Sequence, residues 1–131
     1  DEVAEWEREG AVKYLGVTSD VRSAVAKADC IVLPSAYREG VPRSLMEGAS
    51  MERPLIATDI AGCRDVVRDG FNGFLCRPRD PESLASAMQR FIGASGAKRD
   101  AMGRNGRKMI RDGFDETIIA KIYRDVIDDI A

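Results

Sequence analysis

The sequence predicts an α/β domain in which a parallel sheet is flanked by helices. Two observations lead to this prediction. Short β-branched runs alternate along the chain with segments of helical periodicity, which is the pattern of consecutive β-α-β units around a buried sheet. In addition, 131 residues with a hydrophobic fraction of 44% are enough for one domain with a single buried core.

Apolar and β-branched runs predict four strands in this domain. In chain order they lie near Ala11–Leu15, at Cys30–Leu33, at Leu55–Thr58 and, as a short strand, at Gly73–Cys76. The turn signal Asn72-Gly73 leads directly into the last run, which supports its assignment as a strand.

Segments with helical spacing of apolar residues connect and follow these strands. They are Asp1–Glu9, Ser19–Ala28, Pro42–Met51, a short turn at Arg64–Arg68, and the whole chain from Pro81 onward. Thr18 or Ser19 is placed to cap the second of these helices, and Pro42 stands at a favoured first position of the third. The last segment carries a strong apolar stripe from Ile118 to Ile130.

Charge and composition exclude several classes of partner and site. The 20 basic and 22 acidic residues are mixed along the chain without a like-charge block, so nucleic acid is not an expected partner. No apolar run approaches the roughly 20 residues that span a bilayer, and we therefore expect a soluble protein. Three cysteines without a Cys-x-x-Cys pair indicate a reducing compartment, and we expect it to be the cytoplasm. Histidine is absent, which removes the usual general base and the commonest zinc ligand.

The segment Pro34–Glu47 is the candidate functional region. It leaves the carboxyl end of a predicted parallel strand, where open α/β sheets place their ligand crevice. The first N–H groups of the helix that follows have no partner within it, so the entry around Val41–Leu45 is suited to an anion. On a helical wheel Glu47 points away from the apolar face of this helix. Either Glu47 binds a ligand, or it simply pairs with Arg43 on a solvated face.

Glu39 and Glu47 stand eight positions apart, with a Gly-x-Pro helix entry between them. This arrangement resembles the Glu-x7-Glu motif of retaining glycosyltransferases with two Rossmann domains, which have the GT-B fold and form family 4, the glycosyl transferases group 1. Further matching elements extend over nearly the whole chain: Tyr14-Leu15-Gly16, Leu33-Pro34-Ser35, Arg38-Glu39-Gly40, Pro54–Asp59, Gly62, Asp69-Gly70-x-Asn72-Gly73 and Asp80-Pro81. The chain also resembles bacterial N-acetylgalactosaminyltransferases that extend lipid-diphosphate-linked oligosaccharides.

The resemblance implies a role for each matching residue. Glu39 would be the catalytic residue facing the donor sugar, and Glu47 would hold the ribose hydroxyls of the nucleotide. The base would lie near the loop after Leu15-Gly16. The remaining nucleotide-sugar-binding groups would be backbone N–H groups, at Gly40 and Val41 for the sugar and at Ser44 and Leu45 for the diphosphate. No metal ion or other cofactor would be required, because the helix dipole and basic groups would stabilise the leaving diphosphate.

The same resemblance implies a Rossmann-like fold and a hexosyltransferase activity in polysaccharide or glycolipid biosynthesis. Residues 1–131 would form a partial C-terminal, nucleotide-sugar-binding domain, and the missing N-terminal domain would bind a glycan or lipid-linked acceptor. The parent enzyme would lie peripherally at the inner face of the membrane. The isolated chain would be inactive, and its unpaired strand edges would favour self-association. The alternative is a non-catalytic nucleotide- or partner-binding module.

Two positions in the motif helix depart from the family pattern. The family usually ends this helix with a small residue and a glycine, where the chain has Met51-Glu52. Gly48 stands where alanine is common, and it is expected to weaken the helix by about 1 kcal/mol relative to alanine. Neither departure touches a group that the resemblance assigns to ligand binding.

Overall fold

The computed structural model describes residues 1–38, 40–114 and 116–130. Within these ranges the chain forms, in order, α1 (Glu2–Arg8), α2 (Arg22–Lys27), β1 (Ile31–Leu33), α3 (Arg43–Ser50), β2 (Leu55–Thr58), α4 (Cys63–Val66), β3 (Gly73–Cys76), α5 (Pro81–Gly93), α6 (Gly96–Gly113) and α7 (Glu116–Ile130). No described helix is both long and apolar enough to cross a bilayer.

The three strands form one parallel sheet in the order β1-β2-β3. Leu33 pairs with Ala57 at one side of the central strand, and Thr58 pairs with Cys76 at the other. All four residues of β2 are buried, as expected for a parallel strand covered on both faces. The α/β class with a parallel sheet and flanking helices is therefore confirmed, and the carboxyl ends of the strands meet at one edge.

The core has two parts, one on each face of the sheet. Side chains alternate along β2, so that Leu55 and Ala57 face one part while Ile56 faces the other. The first part also contains residues of α3, α4 and the position after α4, namely Leu45, Ala49, Cys63, Val66 and Val67. The second part also contains residues of β3, α5 and α6, namely Phe74, Cys76, Ala87, Phe91 and Met102. Helices thus shield both faces of the sheet from water.

The predicted strand near Ala11–Leu15 is wrong. These residues have no regular secondary structure, and the side chains of Tyr14 and Leu15 are largely exposed. The backbone N–H of Tyr14 donates instead to Glu7 Oε1, at 3.0 Å. A strand needs a hydrogen-bonded neighbour, and the strands of the described chain pair only among β1, β2 and β3.

The start of α2 also differs from the prediction. The helix begins at Arg22 with Val21 as its N-cap, so neither Thr18 nor Ser19 caps it. The Thr18 hydroxyl instead accepts a hydrogen bond from the backbone N–H of Asp20, at 3.1 Å, before the helix begins. A hydroxyl near a helix start can close such a local turn instead of capping, and sequence spacing does not distinguish the two.

Gly48 allows α3 to lie close to the sheet. A Cβ atom added at this position would be 2.6 Å from Ile31 Cγ1 and 3.2 Å from Leu55 Cδ2. Glycine weakens the helix, but it also allows a close approach of α3 to the sheet. Alanine at this position would allow the same approach only if Ile31 moved.

The apolar stripe on α7 exists, but most of it faces solvent. The large side chains that remain exposed are Ile122, Tyr123, Val126, Ile127 and Ile130. Strand β1 likewise lies at an edge of the sheet formed by the described residues. The self-association expected from the sequence stays a prediction, and these are the surfaces that would carry it.

The end of α3 stores backbone strain. Glu52, which follows the C-cap Met51, has a φ of 59°, a conformation that costs a residue with a side chain about 1–2 kcal/mol. Its carboxylate makes an exposed ion pair with Arg107, at 3.7 Å. We expect Glu52→Gly to have a free energy of unfolding about 0.5–1 kcal/mol above that of Glu52→Ala, because both lose the ion pair and only glycine relieves the strain.

Chemical denaturation of the two variants measures this difference. Equal stabilities would contradict the assignment of strain to Glu52, because the two variants differ only in the Cβ atom at that position.

Candidate functional site

The carboxyl edge of the sheet brings three chain segments together. Pro34 follows β1, Thr58 ends β2 and Cys76 ends β3, and all three line one cavity of about 230 Å³. This follows directly from the parallel pairing, which places equivalent ends of neighbouring strands side by side. The segment that leaves β1 at this edge, residues 34–42, leads to the start of α3.

The N-terminus of α3 presents free backbone donors. The first backbone bond of the helix runs from the Met46 N–H to the Pro42 carbonyl, at 3.2 Å, so the N–H groups of Ser44 and Leu45 have no acceptor within the helix. No side chain in the described part of the chain caps this end, and no acidic residue stands in its first turn. These donors and the helix dipole make the position suitable for an anion.

Burial of one face of α3 holds this N-terminus in place. The side chains of Leu45 and Ala49 are completely buried in the core, whereas Ser44 is exposed. Pro42, buried at the N-cap position, has the extended backbone (φ −66°, ψ 125°) that leads the chain into the helix. The predicted helix Pro42–Met51 is thus one residue shorter at each end, and Pro42 is its cap instead of its first residue.

Glu47 lies on the outward side of α3, as the helical wheel predicts. Its side chain is 41% exposed, and Oε1 lies 3.5 Å from Nε of Arg43. Arg43 is itself 89% exposed, so this pair contributes little to stability, about 0.3–0.5 kcal/mol for such a spacing on a helix. The ion pair is therefore present, yet it is weak enough for a ligand to displace it.

A cavity of about 380 Å³ adjoins Glu47. Its wall consists of Glu47 and Met51 from α3 together with the residues Ser19, Asp20, Val21 and Arg22 at the start of α2. From the N-terminus of α3, Glu47 therefore comes next along the helix, and this cavity follows beside it. Its volume is in the range of small-molecule sites.

Asp20 and Arg22 form an ion pair in the wall of this cavity. Arg22 donates from Nε and Nη2 to the two carboxylate oxygens, at 2.9 and 2.8 Å, and its backbone N–H donates to Oδ1 at 3.0 Å. These hydrogen bonds lower the pKa of Asp20 to about 2, and those from the Arg22 side chain have the largest effect. The carboxylate is therefore ionised at neutral pH. Sequence reasoning singled out neither residue, and the nearest signal was the hydroxyl pair at positions 18 and 19.

The structure brings together the predicted binding residues that it describes. Gly40 is exposed, and Val41 packs partly buried against the core cluster just before α3 begins. The backbone N–H groups of Ser44 and Leu45 lie at the start of the same helix, and Glu47 lies on its outward side. Glu39, the predicted catalytic residue, lies outside the described residues. In the described ranges no group of three or more His, Cys, Asp or Glu residues is arranged to hold a metal ion.

Comparison with known proteins identifies relatives of the chain. Residues 1–93 match the model of a family described as Glycosyl transferases group 1. The UDP-Gal:alpha-D-GlcNAc-diphosphoundecaprenol alpha-1,3-galactosyltransferase of Escherichia coli is 32% identical over 100 residues, which are 76% of this chain and 25% of that protein. The N,N'-diacetylbacillosaminyl-diphospho-undecaprenol alpha-1,3-N-acetylgalactosaminyltransferase of Campylobacter jejuni is 26% identical over 119 residues, or 91% of this chain and 31% of that protein.

Solved structures show the same fold. HepE of Anabaena in complex with UDP superposes with a TM-score of 0.88 and 23% identity, over 98% of this chain and 35% of that chain. HepE has also been solved in complex with UDP-glucose. The chain therefore spans 25% to 35% of the length of these relatives.

Proposed function

This chain belongs to the glycosyl transferases group 1 family, and we propose that it is the donor-binding part of a retaining glycosyltransferase. The substrate of the whole protein is a nucleoside diphosphate sugar, whose sugar is transferred to a glycan or lipid-linked acceptor. Residues 1–131 act as a partial C-terminal domain in this proposal, and the acceptor binds mainly to a separate N-terminal domain.

One observation carries the proposal: an uncapped helix N-terminus, an outward carboxylate and a cavity follow one another along α3. The free N–H groups of Ser44 and Leu45 suit a diphosphate, which carries negative charge. The carboxylate of Glu47 suits the two hydroxyls of a ribose, because it can accept a hydrogen bond at each oxygen. The cavity bounded by Ser19–Arg22 then receives the base. This order of phosphate, ribose and base is the order within a nucleotide.

The chemistry follows from the same arrangement. Transfer breaks the bond between the anomeric carbon and the diphosphate oxygen and forms a bond from that carbon to an acceptor hydroxyl oxygen, whose proton leaves with the diphosphate. In this proposal the uncapped N-terminus of α3 stabilises the negative charge that develops on the leaving oxygen, so the reaction needs no metal ion or other cofactor. Glu39, with the backbone N–H groups of Gly40 and Val41, acts on the sugar.

The acceptor and the location of the enzyme are proposed from the relatives. The names of the Escherichia coli and Campylobacter jejuni proteins both specify a diphosphoundecaprenol-linked sugar. We therefore place the parent hexosyltransferase in the cytoplasm, peripherally at the inner face of the membrane, in polysaccharide or glycolipid biosynthesis.

Removal of the Glu47 carboxylate tests the ribose contact. In the full-length protein, Glu47→Ala is expected to weaken nucleoside diphosphate binding by about 1.5–3 kcal/mol, the usual contribution of hydrogen bonds to a charged group. Isothermal titration calorimetry measures the affinity. The control is Glu52→Gln, which removes an exposed carboxylate just beyond the other end of the helix. Unchanged affinity in Glu47→Ala, or equal losses in both variants, would contradict the ribose contact.

A change at Glu39 separates catalysis from binding. Glu39→Gln in the full-length protein is expected to lower kcat by at least tenfold while the dissociation constant of the nucleoside diphosphate stays within about twofold, because the residue is proposed to face the sugar. A transfer assay with nucleotide-sugar donors and a binding titration give the two quantities. Equal losses in both would assign Glu39 to the general architecture of the site. A wild-type parent that binds nucleotide and transfers no sugar would favour the non-catalytic module.

A further inference from the structure

Thr58 makes a buried hydrogen bond at the carboxyl edge of the sheet. It is the last residue of β2 and is 2% exposed. Its hydroxyl donates to the backbone carbonyl of Ser35, at a distance of 2.5 Å. Ser35 is the second residue after β1, so this side chain connects the end of the central strand to the segment that leaves the neighbouring strand.

The hydrogen bond lies just beyond the end of the backbone ladder. The ladder between β1 and β2 ends at the pair Leu33 and Ala57. The next residue of the chain is Pro34, and Ser35 follows it. Beyond the proline, the Thr58 hydroxyl holds the departing chain against β2 through a side chain.

The segment held in this way carries the residues proposed to face the sugar. The Ser35 hydroxyl lies 3.4 Å from both the amide nitrogen and the carbonyl oxygen of Tyr37, so the first residues form a local turn. The side chain of Tyr37, within this turn, is 72% exposed. At the far end Val41 packs against the core cluster. Thr58 is therefore the buried anchor at the start of the segment, and Val41 is the anchor at its end.

We propose that Thr58 is a positioning residue that holds the segment leaving β1, so that the backbone N–H groups of Gly40 and Val41 are placed for the donor sugar. This inference rests on the proposed function, since it concerns the reaction assigned to that segment. The inference goes beyond the proposed function because it assigns a role in turnover to a buried side chain on a different strand.

The nucleotide groups do not depend on this anchor. Ser44, Leu45 and Glu47 stand on α3, which is held by the complete burial of Leu45 and Ala49. A change at Thr58 should therefore separate turnover from nucleotide affinity. A purely structural role would instead change both quantities, together with the stability of the protein.

Two substitutions in the full-length protein provide the test. Thr58→Val keeps the shape and burial of the side chain and removes the hydroxyl, whereas Thr58→Ser keeps the hydroxyl and removes a methyl group. We expect kcat of Thr58→Val to fall by about 10- to 100-fold, the effect of a small misplacement of reacting groups, while the nucleoside diphosphate dissociation constant stays within about twofold. Thr58→Ser should retain kcat within about threefold. Amide hydrogen exchange between positions 36 and 41 should be faster in Thr58→Val than in Thr58→Ser.

Several results would overturn the inference. They are an unchanged kcat in Thr58→Val, an equal loss of kcat and nucleotide affinity, and a loss in Thr58→Ser as large as that in Thr58→Val. Wild-type protein that binds no nucleotide sugar would overturn the proposed function and this inference together. Wild-type protein that binds and transfers, with both variants equally active, would overturn the role of Thr58 alone.

Discussion

The close packing of α3 between the sheet and α6 is the contact on which the rest of the structure depends. On one side, Gly48 leaves room for Ile31 and Leu55, so the helix lies directly against β1 and β2. On the other side, a Cβ atom at Gly106 of α6 would be 3.5 Å from Ala49 Cβ, and one at Gly103 would be 2.2 Å from the carbonyl oxygen of Glu52, just beyond the end of α3. Side chains at these points would move α3 outward, and its N-terminus would leave the edge where the strands end.

This packing explains why the candidate site divides into two parts. The groups proposed for the nucleotide belong to a helix whose inner face is completely buried, so their positions are set by the core. The groups proposed for the sugar belong to a segment that crosses the edge of the sheet and is attached through Thr58 and Val41. We therefore expect affinity and turnover to depend on different contacts in the same domain, so that substitutions separate them.

Local patterns in the sequence predict the buried strands well. The bounds Leu55–Thr58 and Gly73–Cys76 agree with the structure, and β1 begins one residue later than expected, at Ile31. Both β2 and β3 are short apolar runs, and the turn signal Asn72-Gly73 leads directly into β3, so their type is determined locally. The run Ala11–Leu15 has a similar local pattern, but no strand of the described chain pairs with it. Pairing is a property of the whole fold, which the run itself does not contain.

The candidate site was predictable to the same extent. The outward position of Glu47 follows from helical periodicity, and the free donors of α3 follow from its N-terminus. The Asp20–Arg22 wall and the Thr58 anchor were not predictable, because each depends on segments that are distant in sequence and meet only in the fold. Gly48 is a further example. Helix propensity predicts that glycine weakens the helix, but only the packing shows that it lets α3 approach Ile31 and Leu55 closely.

We propose that the N-terminus of α3 binds the diphosphate of a nucleotide. Backbone amide chemical shifts of the ¹⁵N-labelled chain, recorded while uridine, guanosine or adenosine diphosphate is added, test this binding directly and detect it even when it is weak. We expect at least one of these nucleotides to produce saturable shifts at the amides of Ser44 and Leu45, with further shifts around Ser19–Arg22. Saturable shifts that leave Ser44 and Leu45 unchanged, or no shifts with any of the three nucleotides, would contradict it.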